Sequence, residues 1–169
     1  MTFVPALIRP FVPAWQALVR GLEALQPLAQ LAARIYIARV FFLSGLTKLR
    51  DWDTTLALFA DEYHVPLLPP PVAAVMGTTG EILLPVLLLL GLGGRFAALG
   101  LSVLNVVAAL SLSDIAPAAL QQHVFWGSLL LGLARWGPGA IALERWAPLR
   151  RLFGESGAAG RNGASATAA

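Results

Sequence analysis

The stretch that decides the fold runs from residue 72 to residue 92 and reads VAAVMGTTGEILLPVLLLLGL. It is close to the length of about 20 residues with which an apolar helix crosses a membrane. Its one charged residue, Glu81, lies near the middle. Because an ionisable side chain at mid-membrane costs roughly 2.5 to 3.5 kcal/mol on insertion scales, we expect Glu81 to have a partner or a function.

The composition of the whole chain is that of a membrane protein. Of its 169 residues, 57% are hydrophobic and 12% are charged, whereas soluble domains carry about 25% charged residues. The net charge of +3 comes from arginines outside the apolar stretches. This placement favours contact with anionic lipid headgroups and argues against nucleic acid as a partner.

The sequence lacks the residues that would hold a redox cofactor. It has no cysteine, which excludes disulfides and thiolate metal sites within the chain. It also lacks nucleotide-binding loops and haem-attachment motifs. We therefore expect no cofactor held by this chain alone, although a lipid-soluble ligand such as a quinone could enter between its helices.

Four apolar stretches predict an all-α membrane protein, a four-span bundle over residues 31–136. The spans are expected at 31–49, 72–92, 95–112 and 118–136. Beyond them, residues 137–153 are expected to form a basic cytoplasmic segment. Residues 154–169 are expected to be a disordered tail because they lack core-forming side chains.

The N-terminal region predicts an amphipathic helix at the membrane surface. Residues 14–26 place apolar side chains on one helical face and polar ones on the other. Pro27 is expected to separate this helix from the first span, so that residues 1–30 form an interfacial segment. A short helix packed on the bundle would have the same pattern.

The first outer loop predicts a second, shorter interfacial helix. Apolar residues recur at helical spacing between Trp52 and Tyr63. Asp51 or Asp53 could cap the start of this helix. It would then cover the outer mouth of the bundle.

The arginines and lysines orient the bundle. Outside the membrane core, Lys48 and Arg50 fall on one side and the remaining basic residues fall on the other. By the positive-inside rule, both termini are then expected in the cytoplasm.

Arg39 in the first span and Glu81 in the second form the first candidate site. Arg39 lies roughly 12 to 14 Å from the cytoplasmic end of the first span, and Glu81 lies about as far from the outer end of the second. Antiparallel neighbours would bring them level, so we expect the two to pair. The pair could either fasten two helices together or line a polar pocket for a proton or a ligand.

Other polar residues could extend this pocket. Ser44 and Lys48 lie near the outer end of the first span, Asn105 lies at mid-depth in the third, and His123 opens the fourth. Simpler roles are available, since lysine can extend to the outer interface and asparagine can join two helices by a hydrogen bond.

Three residues expected at the outer surface have side chains of the kinds that bind metal ions. His64, Asp61 and Glu62 could contact a divalent ion, since imidazole and carboxylate are common ligands. Their spacing matches no closed metal site, so the sequence predicts no metal centre.

The pattern in ARVFFLSGLTKLRDWDTTLALFADEYHVP, residues 38–66, followed by Glu81 and a glycine turn, resembles the DoxX family. The residues that carry the resemblance over 31–136 are Arg39, Ser44, Gly45, Lys48, Glu81, Arg95 and His123. It implies a four-helix bundle in the bacterial inner membrane that belongs to a quinone-linked oxidoreductase or an oxidative-stress complex.

Three functional hypotheses follow from the residues and the resemblance. The first is a membrane subunit that binds a quinone-like ligand and relies on partner redox subunits for electrons. The second is a non-catalytic scaffold or assembly factor, and the third is a small transporter or metal-handling protein. Ser128 and Gly132 form a small-residue face suited to a homodimer or a partner span.

Overall fold

The computed structural model describes residues 11–112, 114–137 and 139–145. These residues form five α-helices: α1 (Phe11–Arg50), α2 (Trp52–Asp61), α3 (Pro70–Leu90), α4 (Gly94–Ser111) and α5 (Pro117–Trp136), followed by a short 3-10 helix (Leu143–Arg145). The described ranges contain no β-strand, so the all-α prediction is confirmed for them. The predicted basic segment 137–153 is described only to residue 145, and the predicted tail 154–169 lies outside the described residues.

Three of the helices, α1, α3 and α4, are long and apolar enough to cross a membrane. The protein is therefore a membrane protein with several candidate spans. Helix α5 has 20 residues, the length of a span, but Gln121, Gln122 and His123 make its first turns more polar. The four-span count remains a prediction.

The four long helices pack as a ring. Helix α1 lies beside α3 and α5, helix α4 lies beside the same two, and α2 packs on α3. The core of the ring is apolar, and each long helix contributes to it. Ile37 of α1, Leu88 of α3, Leu101 of α4 and Leu130 of α5 are at most 1% exposed.

The prediction that Pro27 ends a separate surface helix is wrong, because α1 is one continuous helix of 40 residues with Pro27 inside it. A proline removes one hydrogen bond, here the bond to the carbonyl of Glu23. Glu23 is exposed, so its carbonyl can bond to water, and the rest of the helix persists. At 1.5 Å per residue α1 is about 60 Å long, twice the roughly 30 Å hydrocarbon core.

The N-terminal half of α1 therefore extends beyond the length needed for a span. Its apolar face is exposed, with Phe11, Trp15 and Leu22 at least 60% accessible. Contact of this face with the membrane surface stays a prediction.

The loop after the first predicted span contains a helix, α2, with Asp51 as its N-cap. Its position at a membrane interface stays a prediction. The Asp51 carboxylate accepts a hydrogen bond from the backbone N–H of Thr54 at 3.0 Å and another from the Thr54 hydroxyl at 2.7 Å. At the other end of α2, Phe59 packs on Ala73 and Ala74 of α3. These contacts hold α2 across the end of the bundle.

A buried arginine joins α1 to the C-terminal end of α3. Arg34 is 2% exposed. Its guanidinium donates to the carbonyls of Leu88 at 2.8 Å, Leu89 at 2.6 Å and Ile141 at 2.9 Å. The last carbonyls of a helix have no partner within it and carry a partial negative charge, so a cation stabilises them.

Gly91 makes room for this cap. It ends α3 in the left-handed conformation, with φ of 70°, where glycine carries no steric penalty. A Cβ at residue 91 would lie 2.6 Å from the Arg34 guanidinium. The chain can therefore turn towards α4 without displacing Arg34.

We predict that Arg34→Leu lowers the free energy of unfolding by about 1.5 to 3 kcal/mol, the usual worth of hydrogen bonds to a charged group. Unfolding in detergent micelles with increasing dodecyl sulfate would measure it. Arg39→Leu is the matched control on the same helix, because Arg39 is exposed, and it should change stability by less than about 0.5 kcal/mol. Equal losses in the two variants would contradict the capping role.

A second prediction concerns the Asp51 cap. The hydrogen bonds from Thr54 lower the pKa of Asp51, so the cap stabilises α2 above the unfolded-state pKa and is lost as the pH falls through the lowered pKa. Asp51→Ala should speed amide exchange in α2 at neutral pH, whereas Asp51→Asn should keep protection at both neutral and acidic pH. Unchanged exchange in Asp51→Ala would refute the cap.

Candidate functional site

A cavity of about 840 Å³ lies between the long helices, on the side covered by α2. Most of the residues around it are apolar. The polar side chains among them are Ser44, Thr47, Lys48, Tyr63, Glu81, Ser111 and His123. The cavity therefore combines an apolar interior with a few polar groups, as ligand sites commonly do.

Lys48 and Glu81 form an ion pair in the wall of the cavity. The Lys48 ammonium lies 2.5 Å from Glu81 Oε2 and donates a second hydrogen bond to the Ser44 hydroxyl at 3.1 Å. The two charged side chains are 19% and 12% exposed. Among the described residues this is the one ion pair between spans, and it joins α1 to α3.

Two expectations about this pair are therefore wrong. Glu81 binds Lys48 and not Arg39, and Lys48 points into the bundle instead of extending to the outer interface. Side chains on an α-helix point towards its N-terminus. Lys48, near the C-terminal end of α1, is thus directed back along the helix towards the level of Ser44 and Glu81.

Gly45 allows α1 and α3 to approach closely at this level. A Cβ at residue 45 would lie 3.1 Å from the Glu81 Cβ and 2.9 Å from Ile82 Cδ1. Both distances are shorter than ordinary van der Waals contact. The absence of a side chain at Gly45 thus brings Glu81 within reach of Lys48.

Arg39 lies on the outward face of α1. It is exposed, and it is not among the residues that line the cavity. No residue in the described part of the chain forms a hydrogen bond or an ion pair with it. The structure therefore separates Arg39 from the cavity.

Asn105 and His123 form a second polar pair, between α4 and α5. The Asn105 amide nitrogen donates to the backbone carbonyl of His123 at 2.9 Å, and the Asn105 amide oxygen lies 2.9 Å from His123 Nδ1. Asn105 is 4% exposed. The His123 ring packs edge-on against Trp126, with centroids 5.1 Å apart.

Aromatic side chains form much of the contact between α1 and α5. Phe41 packs edge-on against Trp126 at 6.0 Å, and Tyr36 packs against Phe125 at 5.9 Å. The Trp126 indole N–H also donates to the Tyr36 hydroxyl at 3.3 Å. Trp126 thus connects the His123 wall of the cavity with α1.

The chain after α2 covers one end of the cavity. The His64 backbone N–H donates to the Ser111 carbonyl at 2.9 Å, which fastens the loop to α4. Tyr63 faces the cavity, and burial, with the negative charges of Glu62 and Glu81, raises the pKa of its phenol. Tyr63 therefore stays a neutral hydroxyl.

The three residues considered as metal ligands do not assemble a site. His64, Asp61 and Glu62 are exposed, and His64 Nδ1 lies 3.1 Å from the backbone carbonyl of Glu62. Within the described ranges, no group of three or more histidine or acidic side chains could hold a metal ion.

Comparison with known protein families gives one match. The DoxX family model matches residues 29–114, which is just over half of the 169 residues. The chain belongs to the DoxX family. No curated protein and no solved structure matches it. The DoxX match includes Lys48, Glu81 and Asn105, whereas His123 and α5 lie beyond it.

The sequence analysis named four of the polar residues around the cavity, Ser44, Lys48, Glu81 and His123, but missed two relationships. The Lys48–Glu81 pair could have been found from the direction of helical side chains, since Ser44 and Lys48 lie four residues apart on one face. The capping role of Arg34 had no signal in the sequence, because it depends on where α3 ends relative to α1.

We predict that Lys48→Met alone destabilises the protein by about 3 kcal/mol, the lower end of the range for breaking a buried pair, because Glu81 is left charged without a partner. The double variant Lys48→Met/Glu81→Gln removes both charges and should recover most of that loss. Unfolding free energies in mixed micelles would test this double-mutant cycle. Simple addition of the losses from Lys48→Met and Glu81→Gln would show that the two residues do not interact.

Proposed function

We propose that this DoxX protein is a membrane subunit of a redox system, and that its cavity binds a lipid-soluble, quinone-like ligand. The observation that carries the proposal is the Lys48–Glu81 pair in the wall of a mostly apolar cavity. The bundle would cross the bacterial inner membrane four times, with both termini in the cytoplasm.

The size and lining of the cavity support such a ligand. Its volume of about 840 Å³ lies within the roughly 300–1,000 Å³ of typical small-molecule sites. Apolar side chains such as Phe41, Met76 and Leu104 would contact the ring and its substituents. A ligand with an apolar ring and few polar atoms fits this distribution.

Lys48 and Glu81 would bind a polar atom of the ligand. An ammonium group has three N–H donors, of which one reaches Glu81 and another reaches Ser44. The third can donate to a ligand oxygen. Glu81 Oε1 makes no hydrogen bond to any residue that the structure describes, so it can accept a hydrogen bond or hold a proton.

Electrons would come from partner redox subunits. A bound quinone would supply the ring that accepts or releases electrons, while this chain binds and orients that ring and exchanges protons at its oxygens. With no cysteine, the chain offers no thiol couple of its own.

A scaffold role is the second candidate, and the contacts between α1 and α3 favour it. Arg34 joins these helices at one end and Lys48–Glu81 joins them nearer the other. The polar residues would then serve only to hold the bundle together. Partner binding or homodimerisation through Ser128, which is exposed on α5, would belong to this function.

We predict that the purified full-length protein binds decyl-substituted benzoquinone saturably in detergent micelles, as measured by calorimetry. The double variant Lys48→Met/Glu81→Gln should bind it roughly tenfold more weakly or worse, because a charge-assisted hydrogen bond is lost. Arg39→Gln, on the outward face of α1, should bind like the unmodified protein.

Two outcomes would contradict the ligand-binding function. One is the absence of saturable binding by the folded protein. The other is equal binding by the unmodified protein and the double variant. If the double variant also unfolded at lower dodecyl sulfate while ligand binding was absent throughout, the scaffold role would be favoured.

A further inference from the structure

The two hydrogen bonds between Asn105 and His123 determine how the Asn105 amide is oriented. A backbone carbonyl can only accept a hydrogen bond, so the amide group facing the His123 carbonyl must be the NH₂. The amide oxygen is then the atom that faces His123 Nδ1 at 2.9 Å. The orientation follows from hydrogen-bond chemistry alone.

This orientation also determines the histidine tautomer. An amide oxygen can only accept, so His123 Nδ1 must carry the hydrogen. In the neutral ring, Nε2 then has a lone pair and no hydrogen, and it can act only as an acceptor. Asn105 is 4% exposed, so bulk water offers little competition for this bond.

His123 Nε2 is the atom left to meet a ligand. The ring lines the cavity, and Nε2 forms no hydrogen bond with any residue that the structure describes. Its edge-on contact with Trp126 restrains the plane of the ring. Since Nδ1 is engaged by Asn105, Nε2 is the ring nitrogen that remains for a ligand in this cavity.

We propose that His123 selects ligands that carry a ring hydroxyl over those that carry only carbonyl or ether oxygens, and that Asn105 is the positioning residue for this selection. The inference rests on the proposed function, since it concerns a ligand in the same cavity. The Lys48–Glu81 pair offers both a donor and an acceptor, so it accepts either kind of oxygen. The His123 wall is the part that discriminates.

A series of four probes tests the selection without a reaction. They are decyl-substituted hydroquinone, its monomethyl ether, its dimethyl ether and the matching benzoquinone, titrated anaerobically into the full-length protein at about pH 8. At this pH an ordinary imidazole, with a pKa near 6.5, is neutral. The hydroquinone should bind between about threefold and tenfold more tightly than the dimethyl ether and the quinone, the worth of one hydrogen bond.

Two variants locate the preference. His123→Phe keeps an aromatic ring beside Trp126 but removes Nε2, so the four affinities should fall within about twofold of one another. Asn105→Ala removes the acceptor that keeps the hydrogen on His123 Nδ1, so that both tautomers become accessible. The preference should then fall while the cavity still binds all four probes. Arg39→Gln is the control and should retain the full preference.

The tautomer can be measured directly. The chain has two histidines, so His64→Gln leaves His123 as the only source of imidazole ¹⁵N signals. These should report hydrogen on Nδ1 in His64→Gln and a mixture of tautomers when Asn105→Ala is added. A purely structural role for Asn105 would not link the tautomer to the ligand preference.

The outcomes separate this inference from the function on which it rests. Binding of all four probes with equal affinity, or hydrogen on Nε2, would overturn the selection and leave the ligand-binding function standing. Absence of binding by any probe would overturn both. Loss of the preference in His123→Phe together with an Nδ1–H tautomer would establish it.

Discussion

The requirement that charges within a membrane be satisfied by the protein governs this structure. Arg34 meets the carbonyls at the end of α3, and Lys48 meets Glu81 within α3. The two contacts are 14 residues apart on α1, or about 21 Å. Two polar attachments at that separation fix both the register and the direction of α1 against α3, because a shift by one turn would separate Arg34, Lys48 and Glu81 from their partners. The cavity, bounded by these helices, depends on that register.

The positions of most helices could be predicted from the sequence, but the directions of their side chains could not. Apolar stretches of span length predicted α3, α4 and α5 to within two residues, and Asp51 was available as a cap for α2. The pairing of Arg39 with Glu81 failed because equal depth does not imply the same face. The prediction at Pro27 failed for another reason. A proline in an exposed part of a helix removes one hydrogen bond, and the carbonyl left over can bond to water instead.

For the candidate site, too, the sequence identified residues but not the contacts between them. The sequence alone identifies candidate polar residues within apolar stretches, namely Lys48, Glu81, Asn105 and His123. Which of them pair depends on distances of a few ångströms between side chains on different helices. Asn105 and His123 are 18 residues apart, and only the packing of α4 on α5 brings the amide to the imidazole. The cavity itself has no sequence signature, because it is space that the side chains leave unfilled.

The close approach at Gly45 has an evolutionary consequence. The separation of α1 and α3 at the ion pair is set by a residue with no side chain and by the shape of Ile82 opposite it. An alanine at position 45 would push Ile82 and Glu81 away and lengthen the contact with Lys48, unless a smaller residue arose at position 82. Residues 45 and 82 should therefore be inherited as a pair, so that a motif seen as a local Ser–Gly step in α1 also constrains α3. Covariation of these two positions among relatives would record the helix separation that the ion pair requires.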